Sequence, residues 1–314
     1  MDRVVKAIRE GRSFLIATHV NPDGDALGSA IALGMALESA GKSVHVYDRD
    51  GVPSTYDFLP RAGMVMTSAE GVIADTIILV DCNNLTRAGL DGFENYKTSV
   101  VIDHHETDGD FGDIKWIDPD IPATGIMILR IVHALKTDIT KDMAQNLYTA
   151  IALDTGTFRY SNTTAESMRA GAELTEAGAE PGFVADRLYS NWSASRFALF
   201  RMAMEAIEID NGTCFMSISM KMLAETKTTQ ADTENFVNFP LQMDNIKASV
   251  LLKEVADGKW KVSMRSKGDI NVSHIAEKFS GGGHKNAAGC SMDGQYKDIR
   301  TTLVRELKAS GAFS

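Results

Sequence analysis

The sequence predicts an α/β protein: an N-terminal parallel sheet with helices on both faces, followed by a smaller α/β domain. Three observations carry this expectation. Short apolar, β-branched runs at 14–17, 43–47, 76–80 and 98–102 are separated by polar spacers or by segments of helical periodicity. Such runs, set among helices, are what a parallel sheet covered on both sides requires. Three of them close on acids or histidines: one opens into Thr18–Ser29 (THVNPDGDALGS), one ends at Asp81, and one ends at Asp103-His104-His105. Beyond the Asp210-Asn211-Gly212 turn the pattern changes to strands joined by the hairpin signal Asp257-Gly258, which marks a second domain.

The elements follow in order. MDRVVKAIREGRS reads as an amphipathic, charged helix and not a signal peptide. The strand at 14–17 is followed by turn formers, Asn21-Pro22 and Gly24, and then by a helix from Ala26 to a Gly41 C-cap. Residues 48–60 are polar and rich in turn formers. Helices are expected at 121–136 and 141–153, the second running into Asp154-Thr155-Gly156, and again at 163–178 and 181–200. The boundaries expected are a catalytic domain at 1–185, a helical connector at 186–210 and a C-terminal domain at 211–314. In the last, strands are expected at 214–220, 248–255 and 259–265, and a short helix at 272–279 before Ser280-Gly281-Gly282-Gly283-His284.

The net charge of −10 is unevenly distributed. Residues 1–210 carry 18 Lys+Arg against 31 Asp+Glu, and residues 211–314 carry 14 against 11. That balance argues against a partner such as long duplex nucleic acid, which selects a strongly basic face. It leaves room for short phosphorylated ligands on the C-terminal part. No apolar run reaches the roughly 20 residues of a membrane span, so no membrane partner is expected. The three cysteines, Cys82, Cys214 and Cys290, have no CxxC spacing, which points to a reducing, cytoplasmic setting and not to a thiolate metal site.

The chemistry concentrates in His19, Asp23, Asp25, Asp81, His104, His105 and Asp154. Each has an ordinary alternative: Asp23 and Asp25 are good helix caps, and an isolated histidine is often a satisfied core residue. Together they form a set of oxygen and nitrogen donors at the carboxyl ends of parallel strands, where open sheets bind their ligands. Carboxylates so close repel one another unless a cation lies between them. Imidazole and carboxylate suit manganese, magnesium, iron or zinc. Cys82, beside Asp81, is read as a small buried residue.

These segments resemble the motifs of the DHH phosphoesterase superfamily: HVNPDGDALGS, LVD, VIDHH and ALDTG, in that order, with RSKGDINVSHIAEKFSGGGHKNAAG similar to its GGGH-type C-terminal domain. Within it, the two-part chain looks most like the bifunctional oligoribonuclease and pAp phosphatase family. The resemblance implies two manganese ions per chain, with magnesium or another divalent metal as alternatives. His19, Asp23 and Asp81 would hold one; Asp25, Asp81, His104 and Asp154 would hold the other, with Asp81 bridging. Asp103 and His105 would act in catalysis, His105 at the scissile phosphate. Arg265, Ser266, Lys267, His284 and the backbone of Gly281, Gly282 and Gly283 would bind the substrate's other phosphate.

The implied partners are short RNA oligonucleotides or phosphorylated nucleotides, and a homodimer is a family-level expectation. Cyclic dinucleotides or their linear pNpN products are the rival substrates. A silent nucleotide-binding regulator is the alternative of another class, although it would be expected to have lost a metal ligand. Two departures from the family pattern stand out: Thr107-Asp108 where an Asn is common, and Ile126 where a Glu is usual.

Overall fold

The computed structural model describes residues 1–105, 109–190 and 192–310, with His284 by its backbone alone. Chain contacts divide it into two compact units, Met1–Asn191 and Trp192–Ser314. The segment expected as a connector is thus shared between them.

The first unit is built on six strands: β1 (Ser13–Ala17), β2 (Ser43–Tyr47), β3 (Val65–Met66), β4 (Thr76–Val80), β5 (Thr98–Asp103) and β6 (Ile114–Ile117). They lie in the order β3-β2-β1-β4-β5-β6, and every pairing is parallel. Chain order reverses between β1 and β4, so the loops leaving these two strands part and open a crevice at their carboxyl ends. β4, all apolar after Thr76, is buried at every position. β3 and β6 were not expected; they are short edge strands with half-buried side chains, too weakly apolar to announce themselves.

The helices are α1 (Asp2–Glu10), α2 (Gly24–Ser39), α3 (Thr124–Leu135), α4 (Lys141–Asp154), α5 (Ala165–Glu176) and α6 (Pro181–Tyr189). Their apolar residues pack with Phe14, Ile16, Ile78, Val80, Val100 and Ile102 on one face of the sheet. The opposite face, with Leu15, Ala17, Ile77, Leu79 and Val101, is covered by Val72, Ala74, Ala88 and Leu90 from turns. Helices thus pack on the first of these faces, and turns contribute the apolar cover of the second. The segments before β4 and between β4 and β5 are broken by Gly and Asn, so they supply apolar side chains without a helical run.

α2 is almost wholly buried. At Gly28 an added Cβ would stand 2.5 Å from the Asn146 carbonyl oxygen, so glycine lets α2 and α4 touch backbone to backbone. That contact brings the start of α2 beside the end of α4. The single helix expected at 181–200 is two: α6 stops at Tyr189, and a new helix begins where the Ser193 hydroxyl accepts the Arg196 N–H at 3.0 Å.

The second unit contains α7 (Ala194–Glu205), β7 (Glu208–Asp210), β8 (Thr213–Ile218), α8 (Met220–Thr226), β9 (Ala248–Ala256), β10 (Lys259–Ser266), α9 (Ser273–Glu277), β11 (Gly282–His284), β12 (Ala287–Asp293) and α10 (Tyr296–Ala309). The sheet order is β11-β12-β10-β9-β8-β7, antiparallel except for β8 with β9. Val250, Leu252, Val262 and Met264 face α9 and α10, while Leu251 packs with Leu199, Phe236 and Val237 on the other side. The glycine-rich segment, expected as a loop, forms edge strand β11. An added Cβ at Gly281 or Gly283 would collide with the carbonyl oxygen of Gly289 or Ala287, so these glycines allow close approach to β12.

Candidate metal centre

Four chain segments deliver the donors. In the turn after β1, Asp23 caps α2 by accepting the Ala26 N–H at 3.0 Å. Asp25, fully buried in the first turn of α2, caps a different helix: its oxygens accept the N–H groups of Thr124 (2.7 Å) and Gly125 (2.8 Å) at the start of α3. Capping and metal ligation are therefore compatible here, because a carboxylate has lone pairs for both.

Asp81 follows β4 with φ of +58°, a left-handed conformation uncommon in a non-glycine residue. Its N–H donates to the Ile102 carbonyl at 2.9 Å, tying the bend to β5. The bend splits its carboxylate between two groups. Oδ2 stands 3.5 Å from His19 Nε2, and Oδ1 stands 3.5 Å from both His104 Nε2 and His105 Nδ1. Strain of this kind costs about 1–3 kcal/mol and gathers at functional sites.

His104 Nδ1 lies 3.1 Å from the Ile121 carbonyl, and His19 Nδ1 lies 3.0 Å from the Val20 carbonyl. A carbonyl only accepts, so each Nδ1 carries the proton and each Nε2 faces the carboxylates, the orientation a metal-ligating histidine takes. His104 Nε2 is 3.0 Å from Asp154 Oδ2 and 3.8 Å from Asp25 Oδ2. Three groups of donor atoms result, each within 4.8 Å of one another: His19, Asp23 and Asp81; Asp25, His104 and Asp154; and Asp81, His104 and His105.

The electrostatics show what the pocket favours. Burial drives the His19 and His104 pKa values down, but carboxylate contacts outweigh it: Asp81 and Asp23 bring His19 to about 9, and Asp154, Asp25 and Asp81 bring His104 to about 10. Burial and the charges of Asp81 and Asp154 push Asp23 up to about 6, and Asp25 rises well above the carboxylate range for similar reasons. Asp81 falls despite its burial, because three histidines surround it. Four carboxylates cannot all ionise in this space without positive charge. Protons on the imidazoles provide it in part, and divalent cations would provide it better. The donor set, carboxylate oxygen and imidazole without thiolate, fits a hard or borderline divalent metal.

Asp103 is fully buried, and its Oδ1 accepts the His105 N–H at 3.0 Å and lies 2.7 Å from Nδ1. It fixes the orientation of His105 and raises its pKa against the effect of burial. Cys82 is buried; its thiol donates to the Asn84 carbonyl at 3.4 Å, and burial pushes its pKa up to about 11, so it is an inert packing group.

Two contributors escaped the sequence reading. Thr124 donates its hydroxyl to Asp81 Oδ1 at 2.9 Å; no short-range pattern marks a threonine whose partner is 43 residues away. Buried Asp48, whose charge acts on His19, accepts the Thr18 hydroxyl at 2.7 Å. It follows strand β2 directly, the same strand-then-acid signal that marked the other segments. Ile126 is buried in the core, and Thr107 and Asp108 lie outside the described residues.

The C-terminal candidates belong to the second unit. Arg265 is half-buried on β10, with Nη1 3.0 Å from the Met264 carbonyl. Buried Ser266 donates to the Ile270 carbonyl at 2.7 Å and accepts from Asn286, and Lys267 donates to the Met243 carbonyl at 3.0 Å. Of the three glycines, Gly282 alone has open space beside its Cα.

Residues 13–151 match the model of the DHH family, N-terminal domain, and residues 214–309 match that of the DHHA1 domain. The chain is 32% identical to a bifunctional oligoribonuclease and PAP phosphatase, NrnA, of Thermus thermophilus, over 98% of this chain and 94% of that one. It is 25% identical to the Bacillus subtilis protein of the same description, over 92% of each. An exopolyphosphatase-related protein from Bacteroides fragilis shares the fold with a TM-score of 0.92 at 26% identity, covering 98% of this chain and 95% of that one.

Proposed function

The chain belongs to the DHH family, and on that premise we propose that it is a metal-dependent phosphohydrolase of short oligoribonucleotides and 3′-phosphoadenosine-5′-phosphate (pAp). The observation that carries the reading is Asp81, whose two oxygens face two separate groups of donors. His19, Asp23 and Asp81 would hold one divalent ion, and Asp25, Asp81, His104 and Asp154 a second, manganese being the metal we propose. Bound there, the ions would supply Lewis acidity to the phosphate oxygens and acidify the attacking water.

The chain's own residues do the rest. The Ile121 and Val20 carbonyls hold the His104 and His19 tautomers, so both Nε2 atoms remain available. Asp103 holds a proton at His105 Nδ1 and aims the ring, leaving Nε2 to contact the scissile phosphate or hand a proton to the leaving oxygen. Arg265, Lys267 and the Gly281–Gly283 backbone would hold the substrate's other phosphate, with Ser266 and Asn286 bracing the turn beside them. The names of the relatives support the substrate class. Three buried free thiols support a reducing, cytoplasmic setting.

The test is manganese stoichiometry together with a substrate panel of pAp, 2- to 5-mer RNA, a 24-mer and cyclic di-AMP. Two ions per chain and turnover confined to pAp and the short RNAs are expected. Preference for cyclic di-AMP, or turnover of the 24-mer equal to that of the short RNAs, would overturn the assignment.

A further inference from the structure

On β10, Lys261, Ser263 and Arg265 share one face of the second unit's sheet. Lys261 lies opposite Lys253 of β9 and Ser291 of β12, Ser263 opposite Leu251 and Gly289, and Arg265 opposite Ser249 and Ala287. The β8–β9 side of this face is covered by the cluster around Leu199, Phe236 and Leu251. On the β10–β12 side the floor is small and polar, and Lys261 and Ser291 are exposed. A cavity of about 640 Å³ adjoins it, with Lys261, Gly281, Gly289 and Ser291 among its walls.

Directly opposed side chains in an antiparallel pair have Cβ atoms roughly 5 Å apart, and like charges there destabilise the sheet. Lys253 and Lys261 occupy such a position, and among the described residues neither forms an ion pair. Burial, and then the charge of Lys261, lower the Lys253 pKa, while Glu234 is the acid whose charge reaches it. Lys259, at the end of the strand, is opposite Asp293. The repulsion is thus confined to one pair, half-buried Lys253 and exposed Lys261, at the margin of the open β10–β12 floor.

We infer that Lys253 and Lys261 form a second phosphate subsite, which takes an internal phosphodiester of an RNA strand whose terminal phosphate is held at Arg265. This rests on the proposed reading of Arg265 as a phosphate anchor. Four residues of extended strand separate Lys261 from Arg265, about 13 Å, more than one nucleotide repeat. pAp is too short to use both positions, whereas a strand of four or five nucleotides spans them. The Ser and Gly floor lets the sugar-phosphate chain approach the sheet without collision.

The test is equilibrium binding of labelled 5′-phosphorylated 2-mer and 5-mer RNA to the full-length protein in EDTA, where no turnover occurs. Wild type should bind the 5-mer at least tenfold more tightly than the 2-mer. The double variant Lys253→Gln/Lys261→Gln should close that gap and lower the salt slope for the 5-mer by about 0.7, the value for one neutralised phosphate of a single strand. The Lys253→Arg/Lys261→Arg variant should keep the gap. Lys261→Gln alone should raise the thermal midpoint at low salt without RNA, because it removes a repulsion; a fall would assign the lysines to the fold and overturn the subsite. Equal loss of 2-mer and 5-mer, or none, would overturn it too. If wild type cleaves pAp and short RNA but shows no length-dependent gap, the subsite alone fails. If wild type cleaves neither, the RNA-hydrolase reading fails first.

Discussion

Thr124 and Asp81 are joined by a hydrogen bond of 2.9 Å, and the backbone N–H of the same threonine donates to Asp25 at 2.7 Å. The start of α3 thus steadies one carboxylate from each of two other segments. Thr124→Val keeps the shape and removes the hydroxyl. Outer partners of metal ligands contribute about 10- to 100-fold to affinity, so manganese binding by calorimetry should weaken by that range while the fold is retained. Unchanged affinity would show that the hydroxyl is incidental.

Asp81→Gly and Asp81→Ala should both abolish turnover, since each removes the shared carboxylate. They should differ in stability. Glycine accepts φ of +58° without penalty and alanine does not, so the glycine variant should be about 1 kcal/mol more stable to urea. Wild-type turnover in either variant would refute the role given to Asp81.

Metal binding should release protons. In the metal-free protein His19 and His104 titrate near 9 and 10, above their ordinary value, and a metal takes the neutral imidazole. Apparent manganese affinity should therefore rise with pH through neutrality, and calorimetry at pH 7.5 in buffers of different ionisation heat should register the released protons. Both folded pKa values are raised, so these histidines stabilise the metal-free fold below about pH 6.5, the unfolded value. That contribution should be lost as pH rises through 9 to 10. A pH-independent affinity would contradict the charge balance described for the site.

Cys82→Ala should keep turnover within about tenfold, or roughly 1.4 kcal/mol of barrier, because the thiol is buried and pushed up to about 11. Alkylation of the native protein at pH 8 should leave Cys82 unmodified, as mass spectrometry of its peptide would show.

Arg265→Ala should lower kcat/KM on pAp about ten- to a hundredfold, the loss of a charge-assisted contact of roughly 1.5–3 kcal/mol. Its effect on bis-p-nitrophenyl phosphate, which has no second phosphate, should be much smaller. Equal losses would place Arg265 in support of the fold or the metal centre.

The candidate donors were legible because each follows an apolar strand or helix within a residue or a short turn, and the sequence shows such adjacency directly. Thr124 was not, since its role depends on α3 starting against Asp25, a contact 99 residues apart. Asp48 also follows an apolar strand, but it opens a polar, turn-rich stretch that masks the signal. The turns covering the second sheet face give no periodic signal of their own. Edge strands β3, β6 and β11, and β12 beside the last, escaped because exposure or glycine content erases the apolar alternation that marks inner strands. In the second unit the glycines suggested a loop, but two of the three serve strand packing.

The backbone contact between Gly28 and Asn146 sets a timetable for the newly made chain. Asp154, the last residue of α4, approaches His104 only when α4 docks on α2. During synthesis at about 5–20 residues per second, the donors from His19 to Asp154 emerge over about 7–27 seconds. In that interval His19, Asp23 and Asp81 are already available to an ion, while the group around Asp154 is not. Metal capture would then be stepwise, and a nascent chain halted before α4 would hold at most the first ion and lack the second.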